Sequence, residues 1–343
     1  MVTKLLIGLL VCALSGIATD SHAQKRTLVL SAFAVSQPAF EKYVYAPFRA
    51  QCGCDLVVET GNNADRLAKL DARRNNPVVD LALFSDFGML EAARKGLIQP
   101  LDYARLKNYG AIEPFAQDPI GGKFAVGYTA YSVGLVYRTD KLASVVSWKD
   151  LWRPDLKGRV AMPDITTTQG PLLLHMAEIA WGGSSPAFAN GMDKVIANKA
   201  NVVTFIKNSA QLGALFAQDE IWVAPVPRFV WAQLTKSGLP LKWVVPKEGQ
   251  AAGLNVMGIV AGSKNADLAY ELMDLWLSKD VQTALALNLT DSPVNKNVEL
   301  PKEIADISTY GPEQISSLKF VKPETILTQR SAWVDTWNKG MAK

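Results

Sequence analysis

The sequence predicts an α/β protein organised as two lobes, and three observations carry that expectation. Strand-like and helix-like segments alternate along the first hundred residues. Short continuous apolar runs mark strands buried on both faces. Removing a 23-residue leader from 343 residues leaves 320, more than one hydrophobic core usually organises. Apolar content of 49% and charged content of 20% are ordinary for a globular chain.

Met1–Ala23 reads as a secretory signal peptide. Lys4 supplies the positive start, Leu5–Ile17 is the apolar stretch, and Ser21-His22-Ala23 is a small-x-Ala cleavage site. The stretch is too short to span a bilayer, which takes about 20 residues. Cleavage after Ala23 would start the mature protein at Gln24 and place it outside the cytoplasm. Cys12 invites a lipoprotein reading, but Val11 before it is wrong for that processing.

The elements follow in order. Thr27–Phe33 is a β-rich run, Ala39–Ala50 has helical spacing, and Asp55–Thr60 is a second strand. Asn62 or Asn63 can cap a helix over Asp65–Arg74. Val79–Phe84 reads as a doubly buried strand, Ser85 as the cap of the next helix, and Gly96 as its stop. Phe124–Tyr137 is long and extended, which suits a crossover into the second lobe. There Ser147-x-x-Asp150 opens a helical segment and Arg159–Met162 is a strand. The polar loop Asp164–Gly170 precedes an apolar helix. Val202–Ile206, Ile221–Pro225 and Leu241–Val245 are further strands, a strand ends at Ile259–Ala261, and Ala266–Leu277 is an amphipathic helix. Loops and a helix around Trp333 and Trp337 close the chain.

Composition excludes several functions. The net charge of +4 is spread without a basic stripe, which argues against nucleic-acid binding. The mature chain keeps one histidine, His175, on an apolar helix, so a histidine metal site and a serine–histidine triad both lack support. No metal and no cofactor are expected. Cys52-Gly53-Cys54 can close a small disulfide in an oxidising compartment, or remain two half-buried thiols at a strand entrance.

In open α/β sheets, ligands bind at the carboxyl ends of strands. That rule selects Phe33, Asn62, Ser85, Asp86 and the loop from Asp164 to Gly170. In that loop Thr166, Thr167, Thr168 and Gln169 stand before a helix whose free N–H groups favour an anion. Capping is the plainer role for such residues. Arg228 can clamp a carboxylate or lie on the surface, and Ser209 sits in a polar turn after another strand. Asn255 lies where the chain recrosses between lobes. Tyr131 can stack on a ligand, and Asp291 can meet an ammonium group or simply shape a turn.

Several segments, in this order, carry a resemblance. They are Asp80-Leu81-Ala82-Leu83-Phe84-Ser85 followed by Lys95-Gly96-Leu97-Ile98, Tyr131–Tyr137, Ser147-Trp148-Lys149-Asp150-Leu151-Trp152, Lys157–Asp164, Pro246-Lys247-Glu248-Gly249 and Ser292-Pro293-Val294-Asn295. Together they resemble the bacterial extracellular solute-binding proteins of ABC importers, in the branch that includes spermidine/putrescine-binding proteins. The resemblance implies a type II periplasmic binding-protein fold, with residues 24–131 and 256–295 in lobe I and 132–255 and 296–343 in lobe II. It implies hinges near Ser132 and Asn255, and a ligand cleft between the lobes. The implied protein is a monomeric, non-enzymatic periplasmic carrier that delivers its solute to a membrane permease driven by an ATPase.

Polyamine binders place a Trp and an Asp where this chain has Gly253 and Asn255. They place an acidic pair where it has Thr166–Gln169, and Trp and Tyr where it has Phe33 and Ser36. A dicationic amine needs carboxylates, and most are missing here. The expectation is therefore a small anionic or zwitterionic organic solute, with Asp291 free for an amine. The alternatives are a polyamine carrier, an exported hydrolase or a ligand-sensing module.

Overall fold

A computed structural model describes residues 25–342. The leader expected at residues 1–23 and its cleavage site lie outside the described residues.

Among the described residues, ten strands form one sheet that runs through both lobes. They are β1 (Thr27–Ala32), β2 (Asp55–Thr60), β3 (Leu81–Ser85), β4 (Val126–Arg138) and β5 (Val160–Pro163), then β6 (Val202–Ile206), β7 (Val223–Pro227), β8 (Leu241–Val244), β9 (Gln250–Ile259) and β10 (Leu318–Phe320). The spatial order is β2-β1-β3-β9-β4-β7-β5-β6, with β10 against β9 and β8 against β4. The first βαβαβ series is parallel, as the alternation predicts.

The two long strands β4 and β9 join the lobes. They pair antiparallel from Val126↔Met257 to Val133↔Ala251. Toward its end β9 also pairs with β3, and at its start with β10. Beyond Val133, β4 takes β7 as its neighbour. The sheet thus changes partners around Ser132 and Gly253.

Apolar side chains gather on both sides of this change. One cluster takes residues from Leu28 to Ala130 together with Leu254 to Val294. The others draw on Val133 to Ala251 and on Val321, Ile326, Trp333 and Trp337 of the closing helix Pro323–Met341. The chain is a two-lobed α/β fold with its cleft beside the crossover strands.

Local chemistry explains the boundaries. Asn62 Oδ1 accepts from the Asp65 N–H at 2.9 Å and starts the helix Asn63–Ala72. Ser85 caps Asp86–Arg94, and Ser147 with Asp150 forms a reciprocal cap. Several boundaries move by one or two residues from expectation, and two of these shifts show their local cause. The first helix runs over Gln37–Cys52, with a wide turn at Glu41–Tyr45, and Gly53 ends it in the left-handed region. The strand expected at Ile221–Pro225 is Val223–Pro227, because Ile221 belongs to the buried turn before it. Cys52 and Cys54 are disulfide-bonded.

The closing helix also reaches lobe I. Glu324 pairs with Arg94, and the Arg330 guanidinium lies 5.4 Å from the Phe87 ring centre while donating to Thr166 O at 3.0 Å. Phe87 packs into the second lobe's core although it follows β3.

Candidate functional site

A cavity of about 610 Å³ opens between the lobes, a size suited to a small organic ligand. Its floor follows from strand register. Ser85 of β3 lies beside Asn255 of β9, and Asn255 lies beside Thr129 of β4. Three adjacent strands therefore present a row of polar side chains, all lining the cavity.

The lobe I wall holds Phe33, Phe40, Tyr128 and Asp291. Ser36, also in the lining, adopts a left-handed conformation (φ 62°) just before the first helix. The Asp291 loop is pinned at the following residue, Ser292, from two elements. Thr129 Oγ1 donates to Ser292 O at 2.9 Å, and the Thr309 N–H donates to Ser292 Oγ at 2.9 Å. Thr309 Oγ1 lies 3.0 Å from Ser132 Oγ. One Asp291 oxygen, Oδ2, is sealed from solvent without a hydrogen-bond partner. Burial pushes this carboxyl up to about 7, with the Thr129 hydroxyl pulling the other way.

The lobe II wall brings Thr167, Thr168, Gln169, Lys207, Ser209 and Arg228 to the cavity. The Thr167 hydroxyl donates to Asp164 O at 2.7 Å and accepts from the Gly170 N–H at 3.1 Å, which is a capping role. Thr168 and Gln169 stand beyond it at the start of Gly170–Ala180, an 11-residue helix. Tyr131 lines the hinge side, edge-on to Phe229 at 6.4 Å.

Arg228 borders the cavity but is not the free clamp the sequence allowed. It is 3% exposed, donates to Asp306 O and Gln314 Oε1 at 2.9 Å each, and stacks 4.1 Å over Trp243. Burial lowers its guanidinium to about 9. Only Nε is left without a partner.

Four expected site residues lie outside the lining. Asn62 is spent as a helix cap. Asp86 is buried under its helix start and accepts from the Phe87 N–H at 2.7 Å, with burial raising it to about 7. Asp164 accepts from the Thr166 N–H and hydroxyl at 2.9 and 2.6 Å, which closes both into a local turn.

Sequence reasoning missed Lys207, Phe229 and Thr129. Lys207 follows β6 directly, so the strand-end rule would have selected it. Thr129 and Phe229 carry no such signal, since one is mid-strand and the other is an apolar helix residue.

The family model described as bacterial extracellular solute-binding protein matches residues 44–310. The chain belongs to this family. A crystal structure of an ABC transporter protein from Clostridium perfringens is 31% identical, with a TM-score of 0.83, covering 92% of this chain and 99% of that one. A spermidine/putrescine-binding periplasmic protein of Haemophilus influenzae is 23% identical over 295 residues, 84% of this chain and 79% of the relative. A spermidine/putrescine substrate-binding protein of Streptococcus pneumoniae shares the fold at a TM-score of 0.75 and 20% identity, covering 92% of this chain and all (100%) of that one. This solute-binding protein thus has periplasmic binding proteins among its relatives.

Proposed function

We propose that this chain captures a small organic solute bearing an acidic group, anionic or zwitterionic, and delivers it to a membrane permease worked by an ATPase. Lobe I (24–131 and 256–295) closes on lobe II (132–255 and 296–343) over the cavity. The protein acts as a monomer, in the periplasm, after cleavage behind Ala23, and performs no chemistry on its guest.

The observation that carries the reading is the charge of the cavity. Among the described lining residues stand two cations, Lys207 and Arg228, and one carboxylate, Asp291. The remaining polar lining is hydroxyls and amides. A dication in this setting would leave one ammonium group without a counter-charge, and desolvating such a group is costly. A zwitterion satisfies both signs, its amine at Asp291 and its acid among the hydroxyl, amide and ammonium donors of the lining.

A polyamine is the second reading, favoured by what the curated relatives are named for. Thermal-shift measurements on the mature protein separate the two. The expected result is stabilisation by amino acids, carboxylates or phosphate esters. Stabilisation by putrescine or spermidine alone would overturn the proposal.

A further inference from the structure

Arg66 does not line the cavity, yet its guanidinium lies just behind the lobe I wall. It is 1% exposed, 4.3 Å from the Phe33 ring centre and 4.7 Å from that of Phe84. It donates to Gly61 O at 3.0 Å, Ser31 O at 3.3 Å, Leu83 O and Asn63 Oδ1 at 3.1 Å. All four acceptors are neutral, so a cation is buried here without a carboxylate among its hydrogen-bond partners. Burial lowers it only to about 10, which leaves it charged at neutral pH.

This cation fixes the orientation of its neighbours. An arginine can only donate, so the oxygen of the Asn63 amide must face Arg66. The amide nitrogen then faces Ser85 and donates to its Oγ at 2.7 Å. The Gly88 N–H donates weakly to the same oxygen at 3.4 Å. With its oxygen accepting from two sides, Ser85 keeps its own hydrogen for another acceptor. None of its hydrogen bonds to the described residues uses that hydrogen, and Ser85 lines the cavity.

We propose that Arg66 is a positioning residue for ligand recognition: through Asn63 it turns the Ser85 hydroxyl into an obligate donor, and the lobe I floor thereby selects an anionic oxygen, of a carboxylate or a phosphate. Arg66 also holds Phe33 as a flat wall beside that donor. The proposal rests on the acid-bearing solute of the preceding section and adds which wall takes an acidic oxygen and which residues enforce it.

The decisive variant is Asn63→Asp, which is nearly isosteric. One oxygen of the new carboxylate accepts from Arg66, offsetting its charge, and the other accepts the Ser85 hydrogen, withdrawing it from the cavity. Thermal shift and calorimetry are run on the mature protein with small carboxylates, amino acids and phosphate monoesters, each beside its neutral amide or alcohol counterpart, and with putrescine. In the wild type an acid binds more tightly than its neutral counterpart, and the arm that responds tells carboxylate from phosphate. Asn63→Asp should shrink that preference at least tenfold, and Ser85→Ala, which does not depend on the first variant folding well, should do the same. A merely structural role would weaken both members of a pair alike. An unchanged preference in both variants overturns this proposal and leaves the acid-bearing solute standing. A wild type stabilised by putrescine alone, or by no acid tested, overturns both.

Discussion

Replacing Asp291 with Asn should stabilise the empty protein at alkaline pH. The carboxyl is held at about 7 against a solution value of 3.8, chiefly by burial, with one oxygen lacking any partner. Each pH unit of such displacement corresponds to about 1.4 kcal/mol. That caps the cost of carrying the charge at about 4 kcal/mol, and cavity water reduces it to roughly 2. The sign follows from linkage. Between pH 4 and 7 the folded chain keeps a proton the unfolded chain has lost, so stability falls as pH rises through this window. The loss is complete above the folded value. Tyr45 and Tyr128, whose hydroxyls face the same side, stay neutral throughout because burial raises both. Asp86 has the same sign as Asp291 and His175 the opposite, but both remain in the variant and cancel in the comparison. Urea unfolding of wild type and Asp291→Asn at pH 4.5 and 8.5, without ligand, measures the difference. The wild type should lose about 2 kcal/mol more than the variant between these points. Parallel profiles, or a variant weaker than wild type at pH 8.5, would refute the reasoning.

Three further outcomes follow from the same structure. Burial holds His175 down at about 4, so below pH 6.5 the unfolded chain gains a proton the folded one refuses. Stability should fall as pH drops from 6.5 toward 4, by up to about 3 kcal/mol, and His175→Leu should flatten that slope in acid-denaturation curves. In Gly170→Ala the new Cβ would stand 2.5 Å from Ile165 Cα and 2.6 Å from Asp164 O, both backbone. The loop before the helix must move, at a cost of about 1–3 kcal/mol in melting experiments and a weaker ligand by calorimetry. The Cys52–Cys54 bridge spans a separation of only 2 residues. Chain entropy then accounts for about 1.5 kcal/mol, so a Cys52→Ser/Cys54→Ser variant losing more than ~4 kcal/mol would rule out a purely entropic role.

Much of the frame was legible in the sequence because its signals are local. Asn62, Ser85 and Ser147 cap where their side chains allow, and the apolar run before Ser85 is a fully buried strand. The strand-end rule reached both walls of the cavity. It could not tell which polar side chains are already spent. Asp164 is consumed by Thr166 two residues away, and Arg228 by groups 78 and 86 residues downstream. Arg66 was invisible for the opposite reason. Within a helix it reads as a solvated cation, and only the packing of Phe33 and Phe84 around it makes it a buried one.

The closing helix Pro323–Met341, a part of the second lobe, grips the first through Arg94–Glu324 and Arg330 over Phe87. The halves are therefore bound like a book along one edge as well as at the spine. Opening of the cleft would therefore have to break these contacts or take place on the opposite margin. Exchanging Glu324 or Arg330, neither of which lines the cavity, should on the proposed function alter how long a guest is held.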